Sequence, residues 1–135
     1  MPKTPVDSAD ITELATCPSS PNCVSSSSPT DDSHFIEPIQ LQDDLDLAWA
    51  TLLKRLDSDA SFTVSESNER YIRAVATTKI LRFKDDVEFL LNRDAGTIEL
   101  RSASRVGYSD MGKNRARMEA IRSALIEAGV ARTNE

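Results

Sequence analysis

The chain is poor in the residues that announce chemistry: one histidine, two cysteines and four glycines in 135 residues, with aromatics at 5%. No glycine-rich phosphate loop, paired His-Glu zinc helix or Gly-x-Ser-x-Gly elbow is present, which removes the usual sequence signals for nucleotide binding, zinc proteolysis and serine hydrolysis. No cofactor and no metal centre are expected. Long apolar runs are also missing. A bilayer-spanning helix needs about 18 consecutive apolar residues, and the longest here are only a few residues long. The start, Met1-Pro2-Lys3-Thr4-Pro5-Val6-Asp7, has no apolar segment of the secretory kind, and Asp7, Asp10 and Glu13 are foreign to acid-poor transit peptides. Cytoplasmic residence is the expectation, with the periplasm or a plastid as the alternative for a mature or trimmed form.

Basic residues are scarce in the first third. Residues 1 to 46 carry Lys3 against nine acids, a net of −8, so the rest carries +2 within a whole-chain charge of −6. An acidic balance repels a phosphate backbone, and nucleic acid is not an expected partner.

What is present fits one domain. Hydrophobic residues make up 39% and charged residues 28%, enough apolar material for a core and enough charge to dissolve it. No internal repeat is visible. Prolines and the run Ser25-Ser26-Ser27-Ser28 gather in residues 1 to 40, which read as an irregular arm carrying Cys17-Pro18-Ser19-Ser20-Pro21-Asn22-Cys23. Residues 41 to 135 read as a single α+β domain. Asp43 and Asp44 suit the positive end of a helix, and Leu45, Ala48, Trp49, Leu52, Leu53 and Leu56 follow at helical spacing. The period then drops to two through Phe62 and Val64, Tyr71 to Thr78, Val87 to Leu91 and Ile98 to Ser102. Arg93-Asp94-Ala95-Gly96 supplies a hairpin turn, and pairing Asn92 with Thr97 puts Leu91 opposite Ile98, Phe89 opposite Leu100 and Glu88 opposite Arg101.

A last helix is predicted after Ser109 or Asp110, with Met111, Met118, Ile121, Leu125 and Ala128 on one stripe and Gly129 as its stop. Asn114 falls on or beside that stripe, so an amide is turned toward the sheet. The expected fold is therefore helix, four antiparallel strands, helix, with both helices packed on one face of the sheet.

Two constellations are candidate sites. Cys17 and Cys23 bracket two prolines, with His34 beyond, and three readings stand open. They are a disulfide, a pair of free packed thiols, and a metal site lacking a fourth ligand and the usual ligand spacing. A thiolate beside an imidazole could also act as nucleophile and base. The second constellation runs from Arg101 to Arg115. Strand alternation sends Arg101 and Arg105 to one face and Ser102 and Ser104 to the other, and the following helix start adds free N–H groups, a corner able to hold an anion. Arg101, Ser104, Arg105, Tyr108, Asn114 and Arg115 are its candidate ligands, with Asn22 and His34 nearby. The competing reading has Glu88, Glu99 and Asp110 neutralise these arginines internally. Asp85, Asp86 and Glu88 resemble an acid cluster only by residue type, and pairing of Asp86 and Glu88 with Arg101 and Arg82 accounts for them.

The segment CPSSPNCVSS from Cys17 to Ser26, then His34 and Pro38, then Arg82-Phe83-Lys84-Asp85-Asp86-Val87-Glu88-Phe89, then RSASRVGYSDMGKNRAR from Arg101, resembles the bacterial and plastid family known as domain of unknown function 1499. The resemblance runs from Cys17 to Leu125. It implies no agreed activity and no catalytic residues, and relatives that look envelope-associated. Function is expected to be that of a non-enzymatic binding or accessory module for a small anionic ligand or a protein partner. The alternative is a small hydrolase or transferase using Cys23 or Ser104 with His34.

Overall fold

A computed structural model describes residues 11–19, 22–78, 82–105 and 112–133. Helix α1 (Leu45–Asp57) opens where the acidic pair predicted it. The Asp44 carboxylate accepts from Leu47 N at 2.9 Å, satisfying one of the first-turn donors. Strands β3 (Phe62–Ser67), β4 (Tyr71–Thr77), β5 (Lys84–Asn92) and β6 (Thr97–Ser104) follow as an antiparallel meander. The β5–β6 hairpin holds the register set by hydrophobic matching, Leu91 opposite Ile98 and Phe89 opposite Leu100, with Gly96 at φ +68° closing the turn.

Helix α2 (Lys113–Glu127) then packs back on the sheet. It ends in a two-bond glycine cap. Gly129, at φ +82°, donates to Ile126 O at 3.0 Å and Val130 donates to Leu125 O at 3.1 Å. The expected caps Ser109 and Asp110, with Met111, lie outside the described residues.

The sheet is larger than the four strands expected. Three additions, β1 (Cys23–Ser25), β2 (Ile39–Leu41) and β7 (Ala131–Arg132), bring the strands to seven among the described residues. Their order is β3-β4-β5-β6-β2-β7, with β1 also on β6. Two of them come from the arm, which is therefore not irregular as predicted. Strands of two or three residues are too short to display a period of two, and each exists here through pairing with residues distant in the chain. β1 and β2 share one edge of β6 and run in the same direction along it: Val24 lies opposite Ser102, and Ile39 opposite Ile98. They amount to one edge strand interrupted by an excursion over residues 26–38. Where it departs, Ser26 N donates to Leu100 O at 2.9 Å and Ser26 Oγ accepts from Leu100 N at 3.0 Å, so β6 keeps its ladder across the gap.

One face of this sheet carries Ile72, Ala74, Val87, Phe89, Ile98 and Leu100, and both helices cover it. Ala48, Leu52 and Leu56 from α1 and Met118, Ile121 and Leu125 from α2 complete a single core. Trp49 packs against it and donates from Nε1 to Asn68 O at 2.9 Å, which satisfies the indole. The opposite face is partly covered by the arm. Leu14, Tyr71 and Leu90 make a small second cluster there, with Ile11 beside them.

Arginines hold the excursion in place. Arg115 donates to Ser33 O and Phe35 O at 2.9 and 2.8 Å, and Arg122 to Glu37 O and Pro38 O at 2.6 and 2.9 Å. Arg132 of β7 donates to Leu41 O. A broken edge strand leaves carbonyls without ladder partners, and a guanidinium fork can satisfy two of them at once.

Candidate functional site

The Arg101–Arg115 corner is divided between the two sides of the sheet. On the helix-covered side, Asp85, Ser102 and Ser104 meet Asn114 and Arg117. Asn114 is fully buried and donates from Nδ2 to Asn22 O and Ser104 Oγ, both at 3.0 Å. Its Oδ1 accepts from Ser102 Oγ and from Arg117 Nη1 at 2.9 Å. An amide has two donors and an acceptor with two lone pairs, and all are occupied. Arg117 Nη2 stands 2.6 Å from Asp85 Oδ2 in a pair whose side chains are 13% and 2% exposed. They meet away from the N–H axis, so Oδ2 gains charge compensation without a directional hydrogen bond. These contacts tie the first turn of α2 to β5, β6 and the residue preceding β1.

On the other side Arg101 and Arg105 face carboxylates. Arg105 makes a two-point contact with Asp86, Nε to Oδ2 at 3.1 Å and Nη2 to Oδ1 at 2.9 Å, which holds its own guanidinium above the ordinary range. Arg101 Nη1 lies 3.6 Å from Glu88 Oε1. Its Nε is buried without a hydrogen-bond partner. The Tyr71 hydroxyl donates to Glu88 Oε2 at 2.6 Å, and burial first, then that bond, pushes its ionisation well above the ordinary phenol value. Arg73 reaches Asp86 at 3.9 Å. Charges on this face therefore alternate and largely cancel.

Arg115 is engaged by the excursion's carbonyls, and Tyr108 lies outside the described residues. Cys17 and Cys23 form a disulfide with Cα atoms 5.7 Å apart, and no cysteine is free. No thiol is thus available as a nucleophile in this form. His34 sits in the excursion with Nδ1 2.6 Å from Asp32 Oδ1, while its backbone N–H donates to the same oxygen at 2.8 Å. The backbone bond first, then the ring, holds the Asp32 carboxyl below its usual value.

The open space is elsewhere. A cleft of about 550 Å³ lies on the face away from the helices, between the arm and the β5–β6 turn. Ile11, Leu14 and Leu90 give it apolar walls and floor, and Glu13, Glu69, Asp94 and Glu99 stand around it with Arg70 and Arg93. Arg93 is paired with Asp46. Four acids against two bases make this a cleft that disfavours anions.

Sequence reasoning missed both features that the structure assembles. Asp85 precedes Val87 and Phe89 at strand spacing, so alternation alone puts a carboxylate on the core side, and a cation among the helix residues had to meet it. Leu90 breaks the alternation between Phe89 and Leu91, a sign that both faces of β5 are covered. Nothing local ties Leu90 to Ile11 and Leu14, because that contact is made by the path of the arm.

No helix among the described residues is long and apolar enough to cross a membrane. The family model described as "Protein of unknown function (DUF1499)" matches residues 13–125. No curated protein and no solved structure matches the chain. That family match takes in all three motifs, the Cys17–Cys23 segment, the start of β5 and the β6–α2 stretch, and the chain belongs to the DUF1499 family of proteins of unknown function.

Proposed function

We infer that the protein is a non-catalytic binding module that takes a segment of a protein partner, apolar with basic side chains, in the cleft beside Leu14 and Leu90. One observation carries this reading: the cleft joins apolar walls to an excess of carboxylates, at a volume of about 550 Å³ that suits a few side chains. The cations expected to bind an anion are already engaged, Arg105 by Asp86, Arg101 by Glu88 and Arg115 by two carbonyls. An anionic ligand would have to displace those contacts, whereas a basic, apolar segment meets the cleft as it stands.

The test uses fluorescein-labelled hexapeptides alternating Leu with Lys, Leu with Glu and Ser with Lys, followed by fluorescence anisotropy at low salt. The Leu-Lys peptide is expected to bind at least tenfold more tightly than the other two. Charge reversal at two exposed rim positions, Glu69→Arg with Asp94→Arg, is expected to abolish that preference. Equal affinity for Leu-Lys and Leu-Glu, or no effect of the reversal, refutes the reading.

A further inference from the structure

We propose that the Cys17–Cys23 disulfide is a redox latch on the cleft: a dithiol reductant opens it, the arm leaves the sheet, and the cleft loses one wall. This rests on the cleft being the binding site proposed above. The arm supplies Ile11 and Leu14 to the lining, so the cleft exists only while the arm is docked.

The arm's other attachments are few. Leu14 is buried against Tyr71 and Leu90 with the partly buried Ile11 beside it, Ser25 Oγ donates to Ala15 O at 2.7 Å, and Cys17 N donates to Ser28 Oγ at 3.3 Å. No backbone-to-backbone hydrogen bond joins residues 11–19 to the sheet among the described residues. One buried and one partly buried apolar side chain with two hydrogen bonds, about 5 kcal/mol together, do not offset the roughly 6 to 12 kcal/mol of backbone entropy in ordering residues 11 to 16, so the covalent tether decides whether the arm stays. That tether ends on a fixed point, since Cys23 is buried in β1 opposite Ala103.

Cys17 is the more exposed partner and sets the direction of attack. One thiolate of the dithiol attacks Cys17 Sγ, the Sγ–Sγ bond breaks, and Cys23 leaves as a thiolate that takes a proton. The second thiol of the reductant then attacks the mixed disulfide and frees Cys17. The reductant loses two electrons and becomes a disulfide, and the protein gains two thiols.

Two readouts on the full chain separate the latch from the binding reading. Methyl NMR of leucine-labelled protein, with the Leu14 signals assigned through Leu14→Ala, is run on the oxidised protein, the protein in dithiothreitol and Cys17→Ser, which leaves the buried Cys23 in place. The Leu14 methyls, packed against Tyr71 and Leu90, are expected to move to the positions of an unstructured leucine in the last two, with the core methyls of Leu52 and Leu100 unchanged. Leu-Lys peptide affinity is expected to fall at least tenfold in the same two samples. Leu14 methyls unmoved by reduction overturn the latch even where the peptide binds. Displaced Leu14 methyls with no peptide binding in any sample overturn the binding reading, and with it this role for the latch.

Discussion

Replacing Asp85 by Ala removes the charge partner of a guanidinium that has little water to turn to. Asp85 and Arg117 are 2% and 13% exposed and stand 2.6 Å apart. Breaking a buried pair from one side costs about 3 to 5 kcal/mol, because the survivor keeps its desolvation penalty and loses its compensation. Arg117 retains Ser102 Oγ at 3.2 Å and Asn114 Oδ1 at 2.9 Å, neutral dipoles that soften the loss. That places the expected cost of Asp85→Ala at the lower end, about 3 kcal/mol, or a melting temperature lower by about 12 °C at roughly 4 °C per kcal/mol for a chain of this size.

The double variant Asp85→Leu with Arg117→Met removes both charges and both penalties. It is expected within about 1.5 kcal/mol of the native protein, leaving a clear non-additivity. Urea unfolding without reductant, followed through the fluorescence of the core residue Trp49, measures the native protein, Asp85→Ala, the double variant and its two singles, Asp85→Leu and Arg117→Met. A loss below about 1 kcal/mol in Asp85→Ala, or a double variant as unstable as the sum of the singles, would refute the claim that this pair is held in a low-dielectric site.

Two further outcomes follow from the same contacts. Asn114→Ala strands the hydroxyls of Ser102 and Ser104, the carbonyl of Asn22 and one bond of Arg117, so a loss of about 2 to 4 kcal/mol is expected by urea unfolding. Tyr71 ionises in the folded state well above its ordinary value of 10.0, so its contribution to stability is whole below that value and is lost as pH rises toward the folded one. Unfolding free energy is thus expected to decline above about pH 10 by an amount that Tyr71→Phe abolishes, and equal slopes in the two proteins would remove the argument.

Much of the meander was legible because its signals are local. Asp44 at the start of α1, the Phe89–Leu100 and Leu91–Ile98 matches and the stop at Gly129 all depend on neighbours in sequence or on one hairpin. Asn114 could be turned toward the sheet from helical spacing alone. The same spacing could not say whether its amide met a ligand or the protein's own Ser102, Ser104 and Asn22. Nor could it say whether Arg101 and Arg105 were available. Their side of β6 was readable from alternation, while Glu88 and Asp86 reach them only because β5 lies alongside in one particular register.

By itself, then, the sequence determined the family, through its three motifs, and the α+β class, the hairpin register and the Met118, Ile121 and Leu125 face of α2, which follow from period and from chain-local turns. Tertiary structure alone decided that the arm is part of the sheet, that the corner's cations are spent within the protein, and that the open cleft lies under Leu14. β1 and β2 have too few residues to carry a pattern, and what makes them strands is the free edge of β6. That edge exists only once a hairpin some sixty to eighty residues further along has formed, and no local periodicity encodes it.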